Sequence, residues 1–310
     1  MTPKTQSKGH AYVHGLMLLT IFLVAFSFPI GAAITHALPP AVLMFMRFTV
    51  ASVFFAPYVF IKYGLQLPKL KSLLGYAVLS IPLVVFFYCM FEALRFTTAI
   101  NTGALYTTVP AMTAVFAFFI NKVNSSKLRS AGLLLGTLGA LWIVFRGDLN
   151  GLLNLQFNKG DLIFLLGCLF MGAYSPLVKK LYGGEPMAVM TFWVISMAAL
   201  LLFILSVGSL EKIQWLAVEP RVYFGVAFLA IFTTLFSFFV LQLATVKIGA
   251  TQVAAYGFLT PIVVIALSAA AGSGEVSWSL MPGIGLVLLA MLFINAESDL
   301  RLSVGKEAAS

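Results

Sequence analysis

The sequence predicts an all-α integral membrane protein whose ten transmembrane helices form two inverted-topology five-helix repeats. Three observations support this fold class: a composition too apolar for a water-soluble surface, a series of apolar runs each long enough to cross a bilayer, and a weak internal repeat that divides the runs into two sets of five. Because five is odd, the second set must enter the membrane from the side opposite to the first.

The composition is that of a protein embedded in lipid. Of its 310 residues, 61% are hydrophobic and 9% are charged, whereas soluble domains carry about 25% charged residues. Apolar runs of about 18 residues or more are typical of membrane-spanning helices, because the hydrocarbon core is about 30 Å thick and a helix rises about 1.5 Å per residue. The alternating pattern of a membrane β-barrel is absent from the sequence, which leaves helices as the spanning element.

Ten apolar runs account for nearly the whole chain. The longest connections between them, 147–160 and 209–221, are too short to fold alone, which excludes a soluble catalytic or nucleotide-binding domain. We therefore divide the chain into a first five-helix repeat (1–146), the linker 147–160, a second five-helix repeat (161–297) and a cytoplasmic tail (298–310). The predicted spans are 12–36, 40–62, 73–94, 98–120, 129–146, 161–181, 187–208, 222–244, 249–271 and 280–296.

Lysine and arginine collect at one end of the spans. Counted at alternate ends, 13 lie on the side of the N-terminal tail and five on the other, and Arg47 lies inside the second span, which accounts for all 19. Cytoplasmic loops collect positive residues, so we predict a multi-pass protein of the cell inner (plasma) membrane with both termini in the cytoplasm. The net charge of +9 then reflects topology and contact with membrane lipid, and no nucleic acid partner is expected.

The internal repeat appears when the chain is shifted by 151 residues, which places 93–116 on 244–267. In both segments a very short turn leads into a helix with early small and polar residues and a proline further along. Inverted repeats of this kind are typical of secondary transporters, whose substrate site lies near the bilayer midplane where the repeats meet. The matched pairs include Ala93 with Ala244, Phe87 with Phe238, Pro110 with Pro261 and Gly132 with Gly283, while Asn101 faces Gln252, and Pro29 matches Pro176 at a shift of 147.

Five segments of the chain carry a family resemblance. They are PPAVLMFMRFTVAS (39–52), ALRFTTAINTGALYTTVPAMTAVFAFF (93–119), AGLLLGTLGALWIV (131–144), ATVKIGATQVAAYGFLTPIVVIALSAAAGSGE (244–275) and PGIGLVLLAM (282–291). With them the sequence resembles the drug/metabolite transporter superfamily and, within it, the EamA-type ten-helix exporters. The resemblance implies export of a small metabolite such as an amino acid.

The two halves depart from the family pattern at different positions. The family often has a glutamate closing the fourth span; Glu275 fits this in the second half, but Asn124 stands at the corresponding position of the first. Trp193 stands where the first-half pattern, with Arg47, would place an arginine. The repeats have diverged, so residue roles are not transferred between them by symmetry.

The fourth span carries a polar patch that could line a cavity. A polar side chain costs several kcal/mol in hydrocarbon unless it finds a partner, so Asn101, Thr102 and Thr108 must face other helices or a wet cavity, with Tyr106 on an adjacent face. Packing between helices is the alternative. Pro110 has no N–H, which predicts a free carbonyl at Tyr106. The same reasoning covers the ninth span, where Gln252 and Tyr256 precede Pro261.

Arg47 and four aromatic residues complete the candidate substrate site. An arginine about seven residues into a span indicates a pathway or a buried pair, although a long side chain can also extend to the headgroups. If Arg47 faces the cavity, its planar fork suits a carboxylate or another anionic group. The aromatic candidates, which either clasp an apolar or aromatic solute or pack between helices, are Phe28, Tyr88, Tyr174 and Trp193.

Several absences and one stripe of small residues shape the functional prediction. No Asp or Glu lies at the centre of a span, which favours facilitated diffusion or exchange over tight ion coupling. We find no nucleophile with a base, no paired carboxylates and no metal cluster in the spans, so we expect neither an enzyme nor a cofactor nor a bound metal. The glycines of the fifth and tenth spans form either a scaffold within the chain or the seam of a homodimer. These glycines are Gly132, Gly136, Gly139, Gly283 and Gly285.

Together these features predict a secondary transporter for a small-molecule substrate, working by alternating access around a midplane cavity. A membrane-embedded receptor or assembly subunit without transport activity is the alternative, although ten spans without an extramembrane domain leave little surface for signalling.

Overall fold

A computed structural model of the chain describes residues 3–64, 67–122, 126–145, 158–270 and 278–307. Within these ranges the chain is helical almost throughout and contains no strand. The first half forms five helices: α1 (Pro3–Ala25 and, after a break at Phe26, Ser27–Ile34), α2 (Pro40–Tyr63), α3 (Leu70–Ala93), α4 (Ala99–Leu105, a 3-10 turn Tyr106–Thr108, then Val109–Asn121) and α5 (Lys127–Val144).

The second half repeats this order of five helices. Asn124, Glu275, the last residue of the predicted first repeat (146) and the stretch 147–157 of the predicted linker lie outside the described residues. The helices are α6 (Lys159–Leu181), α7 (Met187–Leu210), α8 (Pro220–Phe228, a π-helical segment Leu229–Phe236, then Ser237–Ile248), α9 (Ala250–Ala255, a 3-10 turn Tyr256–Leu259, then Thr260–Ala270) and α10 (Met281–Glu307, after a 3-10 turn Trp278–Leu280).

Each predicted span coincides with one of these helices. Eight segments of the described chain, from Tyr12–Ile34 to Ala250–Leu267, are long and apolar enough to cross a membrane. Trp278–Ile294 is a shorter apolar helix, and α5 contributes 18 residues. The all-α membrane fold in two five-helix repeats is therefore confirmed.

The two repeats pack around an axis that relates equivalent helices. α5 packs on its equivalent α10, and α2 packs on its equivalent α7. α3 and α4 of the first repeat pack on α6, just as α8 and α9 of the second pack on α1. Short connections make successive helices antiparallel, so α1 and α6 enter the bundle from opposite ends. We name these the terminal end, where α1 begins, and the distal end, where α1 ends.

The prolines of α4 and α9 were expected to leave the backbone carbonyls of Tyr106 and Gly257 free, but both carbonyls accept a hydrogen bond. The Val109 N–H donates to the Tyr106 carbonyl, and the Thr260 N–H donates to the Gly257 carbonyl. The prediction of free carbonyls is wrong because the backbone tightens into a 3-10 turn that ends two residues before each proline. In that geometry the donor comes from residue i+3, and the N–H that proline lacks is not needed.

The glycine stripe is a scaffold within the chain. A Cβ built on Gly139 would lie 2.8 Å from the Gly283 carbonyl oxygen, and one built on Gly283 would lie 2.7 Å from the Gly139 oxygen. Gly132 is equally close to Ile294 of α10. These glycines let α5 and α10 approach backbone to backbone. Gly285 does not contribute to this close contact between α5 and α10, since a Cβ there would meet nothing within 4 Å.

Candidate functional site

Two adjoining cavities lie where the two repeats face each other. Their volumes are about 20 and 30 Å³, which is enough for one or two water molecules each. Val24, Tyr106, Met171 and Leu241 line both of them. Val24 of α1 and Met171 of α6 are related by the 147-residue shift, so equivalent positions of the two repeats meet at this point.

Five aromatic rings, those of Phe28, Phe86, Phe87, Tyr106 and Phe238, line the smaller cavity. The ring centroids of Phe28 and Tyr106 lie 5.9 Å apart, and those of Phe86 and Tyr106 lie 5.8 Å apart. Phe87 and Phe238, the pair that the 151-residue shift identifies, lie 5.7 Å apart, and both line the cavity. The structure thus brings the candidates Phe28 and Tyr106 together, at a place suited to an apolar or aromatic solute.

Arg47 of α2 is completely enclosed by protein. Its Nε donates to Thr234 Oγ1 at 2.6 Å and its Nη2 donates to Thr233 Oγ1 at 2.7 Å, while Nη1 has no hydrogen-bond partner among the described residues. The guanidinium carbon lies 4.3 Å from the centre of the Phe87 ring, a cation–π contact. A side chain extended to the headgroups is therefore excluded. Because Phe87 and Thr233 also line the smaller cavity, Arg47 lies directly behind the cavity wall.

Two consecutive threonines reach one guanidinium because α8 is π-helical at this point. π-Helical turns are rare and are often found at functional sites. Thr233 also donates to the Leu229 carbonyl at 2.8 Å, and Ser237 donates to the Phe232 carbonyl at 3.0 Å. Sequence reasoning missed Thr233 and Thr234. Their signal is a polar pair in an apolar run, LAIFTTLF (229–236), but an α-helical register does not show that both face Arg47.

Tyr174 belongs to a buried polar chain that links three helices. Gln242 of α8 donates from Nε2 to the Tyr174 hydroxyl at 2.8 Å, and its Oε1 accepts from the Thr191 hydroxyl of α7 at 2.5 Å. All three side chains are fully buried. The Tyr174 ring packs edge-on against Phe238, with centroids 5.7 Å apart, so Tyr174 supports the cavity wall from behind. Gln242, a lone amide in an apolar span, was missed from the sequence.

A contact between the repeats closes the terminal end of the bundle. Nδ1 of His14 on α1 hydrogen-bonds the Tyr256 hydroxyl at the 3-10 turn of α9. Gln252, about one turn earlier in the chain than Tyr256, is also buried in α9. Val253 and Gly257, on the same stretch of α9, line the larger cavity. We call the His14–Tyr256 contact the terminal tether.

A second contact between the repeats closes the distal end. The Thr97 hydroxyl, in the turn between α3 and α4, donates to Asp161 Oδ1 of α6 at 2.7 Å. Thr97 Oγ1 also accepts from the side-chain amides of Asn101 and Asn158, each at 3.2 Å. Asn158 and Asp161 cap α6 reciprocally, and the spacing Asn-x-x-Asp is a signal for such a cap in the sequence. We call the Thr97–Asp161 contact the distal tether.

The remaining candidates lie away from the two cavities or hydrogen-bond within their own helix. Tyr88 is 39% exposed on the outer face of α3, and the half-buried Trp193 packs on Phe192 with centroids 5.3 Å apart. Thr102 donates to the carbonyls of Thr98 and Ala99, and Thr108 donates to that of Leu105. Such hydroxyls meet their hydrogen-bonding needs locally, so the polar patch of α4 is mostly satisfied within α4.

A larger groove opens at the distal end. Its volume is about 480 Å³, and it lies between the α1–α2 turn and the connection that follows α7. Pro39, Ser209 and Gln214 line it together with the exposed Lys212 and Glu219. The distal end therefore presents a depression of mixed polar and apolar lining, of the size of a metabolite site.

Comparison with known proteins assigns a family to this architecture. The model of the EamA-like transporter family matches residues 12–145 and 158–296, one match for each repeat. The chain is 24% identical over 234 residues to the transporter YyaM of Bacillus subtilis, covering 75% of each protein. It is 27% identical over 252 residues to a transporter of Archaeoglobus fulgidus, covering 80% of this chain and 85% of the other.

The fold is also found in a solved structure. A crystal structure of another protein superposes with a TM-score of 0.74 over 94% of this chain and 99% of that one, at 17% sequence identity. This similarity supports the fold alone. The family match carries the assignment: with both repeats matched, this chain is a multi-pass membrane transporter for a small-molecule substrate, and it belongs to the EamA-like transporter family.

Proposed function

We propose that the chain is a secondary transporter of the inner (plasma) membrane that exports a small amphipathic metabolite, such as an amino acid, by alternating access. Both termini lie in the cytoplasm, so the terminal end faces the cytoplasm and the distal end faces outward. The excess of lysine and arginine at the terminal end supports this orientation.

The observation that carries the proposal is the pair of tethers at opposite ends of one cavity system. Each tether joins one repeat to the other, His14 to Tyr256 at the terminal end and Asp161 to Thr97 at the distal end. His14 and Asp161 are related by the same 147-residue shift that relates Pro29 to Pro176. Breaking one tether while the other holds opens the cavity system to one side of the membrane only. Because the two repeats are related by symmetry, breaking the other tether opens it to the opposite side by the same kind of motion.

The size of the cavities indicates that the described conformation is closed. Pockets for small molecules measure about 300–1,000 Å³, whereas these cavities measure about 20 and 30 Å³. Substrate entry therefore requires the wall helices to move. The wall contains the 3-10 turns of α4 and α9 and the π-helical segment of α8, and irregular turns of this kind are where helices bend.

A counterflow assay in proteoliposomes tests the proposal. Purified protein is reconstituted, the vesicles are loaded with an unlabelled amino acid, and uptake of the same labelled amino acid is followed for a panel of polar, apolar and aromatic members. We expect saturable counterflow of at least one member, a large loss of flux in Tyr106→Ala, and normal flux in Tyr12→Ala, whose ring is 62% exposed on α1.

The same vesicles separate transport from the alternative function. Binding of a panel member without flux in wild type would identify a receptor and contradict the proposal. Equal flux in Tyr106→Ala and Tyr12→Ala would contradict a transport pathway through the cavities that Tyr106 lines. Faster efflux than influx in vesicles of defined orientation is the result expected of an exporter.

A further inference from the structure

Arg47 is a buried cation for which the described part of the chain supplies no counter-ion. Two ion pairs, Glu92 with Arg95 and Glu219 with Arg221, lie outside the bundle centre, and neither of them includes Arg47. The partners of Arg47 are instead two neutral hydroxyls and the face of an aromatic ring. Burial of a charge without an opposite charge is strongly unfavourable, so a charge of opposite sign is the natural complement at this position.

The guanidinium has hydrogen-bonding capacity to spare. It carries five N–H bonds, of which Thr234 takes the one on Nε and Thr233 takes one on Nη2. Three remain, on Nη1 and Nη2, and Nη1 is buried and has no partner in the part of the chain that the structure describes. Adjacent N–H bonds on Nη1 and Nη2 form the fork that binds a carboxylate through both oxygens.

The two threonines hold this fork in a fixed position. The Thr233 hydroxyl gives its hydrogen to the Leu229 carbonyl, so its oxygen is left as an acceptor for Arg47. Thr234 accepts from Nε of the same guanidinium because the π-helical register of α8 turns it toward Arg47. Both hydroxyls bind the Nε and Nη2 edge, which leaves the Nη1 end of the guanidinium available.

The surroundings of Arg47 define the rest of the ligand. Phe87 and Thr233, which contact Arg47, form part of the wall of the smaller cavity. The same wall contains Phe28, Phe86 and Phe238, so an anion bound to Arg47 would extend its remaining atoms among aromatic rings. Ser27 and Ser237 add two hydroxyls to this wall.

We infer that Arg47 forms an anion-binding subsite of the transport pathway, with Thr233 and Thr234 as positioning residues. The ligand group is a carboxylate, and the ligand class is a small carboxylic acid with an apolar or aromatic body, amino acids of this type included. The inference deepens the proposed function and rests on it for the role of the cavity in transport.

The subsite is tested by equilibrium binding to the purified full-length protein in detergent. The probes are 3-phenylpropionate and its neutral analogue 3-phenylpropanol, which share the aromatic body and differ in the anionic group. We expect wild type to bind the carboxylate at least about tenfold more tightly than the alcohol, as for a charge-assisted hydrogen bond. Arg47→Gln removes this preference, and Arg47→Lys recovers only part of it.

Two sets of controls keep the test decisive. Arg95→Gln removes a cation of the same type at the distal end, where it is partly exposed and paired with Glu92, and leaves the preference unchanged. Thr233→Val weakens binding of 3-phenylpropionate while Thr233→Ser restores it, which decides the matter if the Arg47 variants do not fold.

The inference is overturned if wild type binds neither probe, if wild type binds both equally, or if folded Arg47→Gln keeps the preference.

Binding and transport can fail separately. If wild type prefers the carboxylate but proteoliposomes show no flux of any solute, the proposed function fails and the anion subsite stands. If flux is present and 3-phenylpropanol competes as well as 3-phenylpropionate, transport stands and the subsite is refuted.

Discussion

The crossing of α5 and α10 offers the sharpest test of the packing, through the substitution Gly283→Ala. The added Cβ would lie 2.7 Å from the Gly139 carbonyl oxygen, 2.7 Å from Ile143 Cγ1 and 3.0 Å from Trp142 Cδ1. The two side chains can adjust, but the Gly139 oxygen belongs to the backbone of α5. Ordinary contact begins at 3.4 Å, so the helices must separate by about 0.7 Å at the crossing.

The expected loss of stability follows from this separation. Overpacking costs about 1–3 kcal/mol, and a clash with an immovable backbone atom belongs in the upper part of that range. Alanine regains about 0.5–1 kcal/mol over glycine inside a helix. We therefore expect Gly283→Ala to lower the free energy of unfolding by about 1–2 kcal/mol.

Gly285→Ala is the matched control, because it makes the same chemical change two residues further along α10. A Cβ at Gly285 meets nothing within 4 Å, so only the gain in helix propensity remains, about 0.5–1 kcal/mol. Both variants are measured by unfolding in SDS, followed by loss of helical circular dichroism. If Gly283→Ala is as stable as Gly285→Ala, the reasoning that places α5 and α10 in backbone contact is refuted.

Two further predictions concern the buried hydrogen bonds. Gln242→Leu removes both hydrogen bonds of the Tyr174–Gln242–Thr191 chain. Because hydrogen bonds between membrane helices average about 0.6 kcal/mol each, we expect the free energy of unfolding in the same SDS assay to fall by about 1 kcal/mol. An unchanged free energy of unfolding would show that these hydrogen bonds do not stabilise the fold. Tyr256→Phe breaks the terminal tether and Asp161→Asn weakens the distal one. In a cysteine-free background carrying Val24→Cys, we expect Tyr256→Phe to speed labelling by a membrane-impermeant maleimide from the terminal end only, and Asp161→Asn from the distal end only. Equal effects from both ends would contradict the assignment of the tethers.

Helix positions could be predicted well because lipid imposes one simple condition on them. A spanning segment must bury all its backbone polar groups in its own hydrogen bonds and present apolar side chains over about 20 residues. That condition can be read from composition alone, without any knowledge of neighbours. The spans and the division into two sets of five therefore emerged from the sequence, and α1 to α10 follow them closely.

Helix orientation could not be predicted in the same way. α3 is apolar on every side, so its sequence does not distinguish the face that meets protein from the face that meets lipid. Phe86 and Phe87 line the cavity, while the next residue, Tyr88, is 39% exposed. Tyr88 was a candidate because its ring lies inside a span and could clasp an apolar or aromatic solute, but tyrosine is also common on membrane-facing surfaces near the headgroups.

Polar residues were the least predictable part of the site. Thr102 and Thr108 satisfy their hydroxyls on carbonyls of their own helix, an option that any threonine in a helix has and that a sequence does not reveal. Thr233 also donates to a carbonyl of its own helix, but its oxygen and that of Thr234 accept from Arg47 of α2, because the π-helical register of α8 turns both toward α2. The π-helical geometry of α8 therefore distinguishes threonines that bind a side chain of another helix from threonines that bond only within their own helix.

The divergence of the repeats follows from what each part of a transporter must do. In the proposed alternating-access cycle, the motion between two open forms requires both repeats to share a backbone and equivalent contacts, and His14 and Asp161, one from each tether, occupy matching positions in the two repeats. A single small solute has no two-fold symmetry, so only one repeat needs to supply its charged partner. Arg47 on α2 faces the hydroxyls of α8, while its counterpart on α7 is Trp193, which packs on Phe192. An arginine at both positions would place two unneutralised cations near one cavity and double the cost of burial. The asymmetry at this pair is therefore expected of a symmetric scaffold that binds one anionic group at a time.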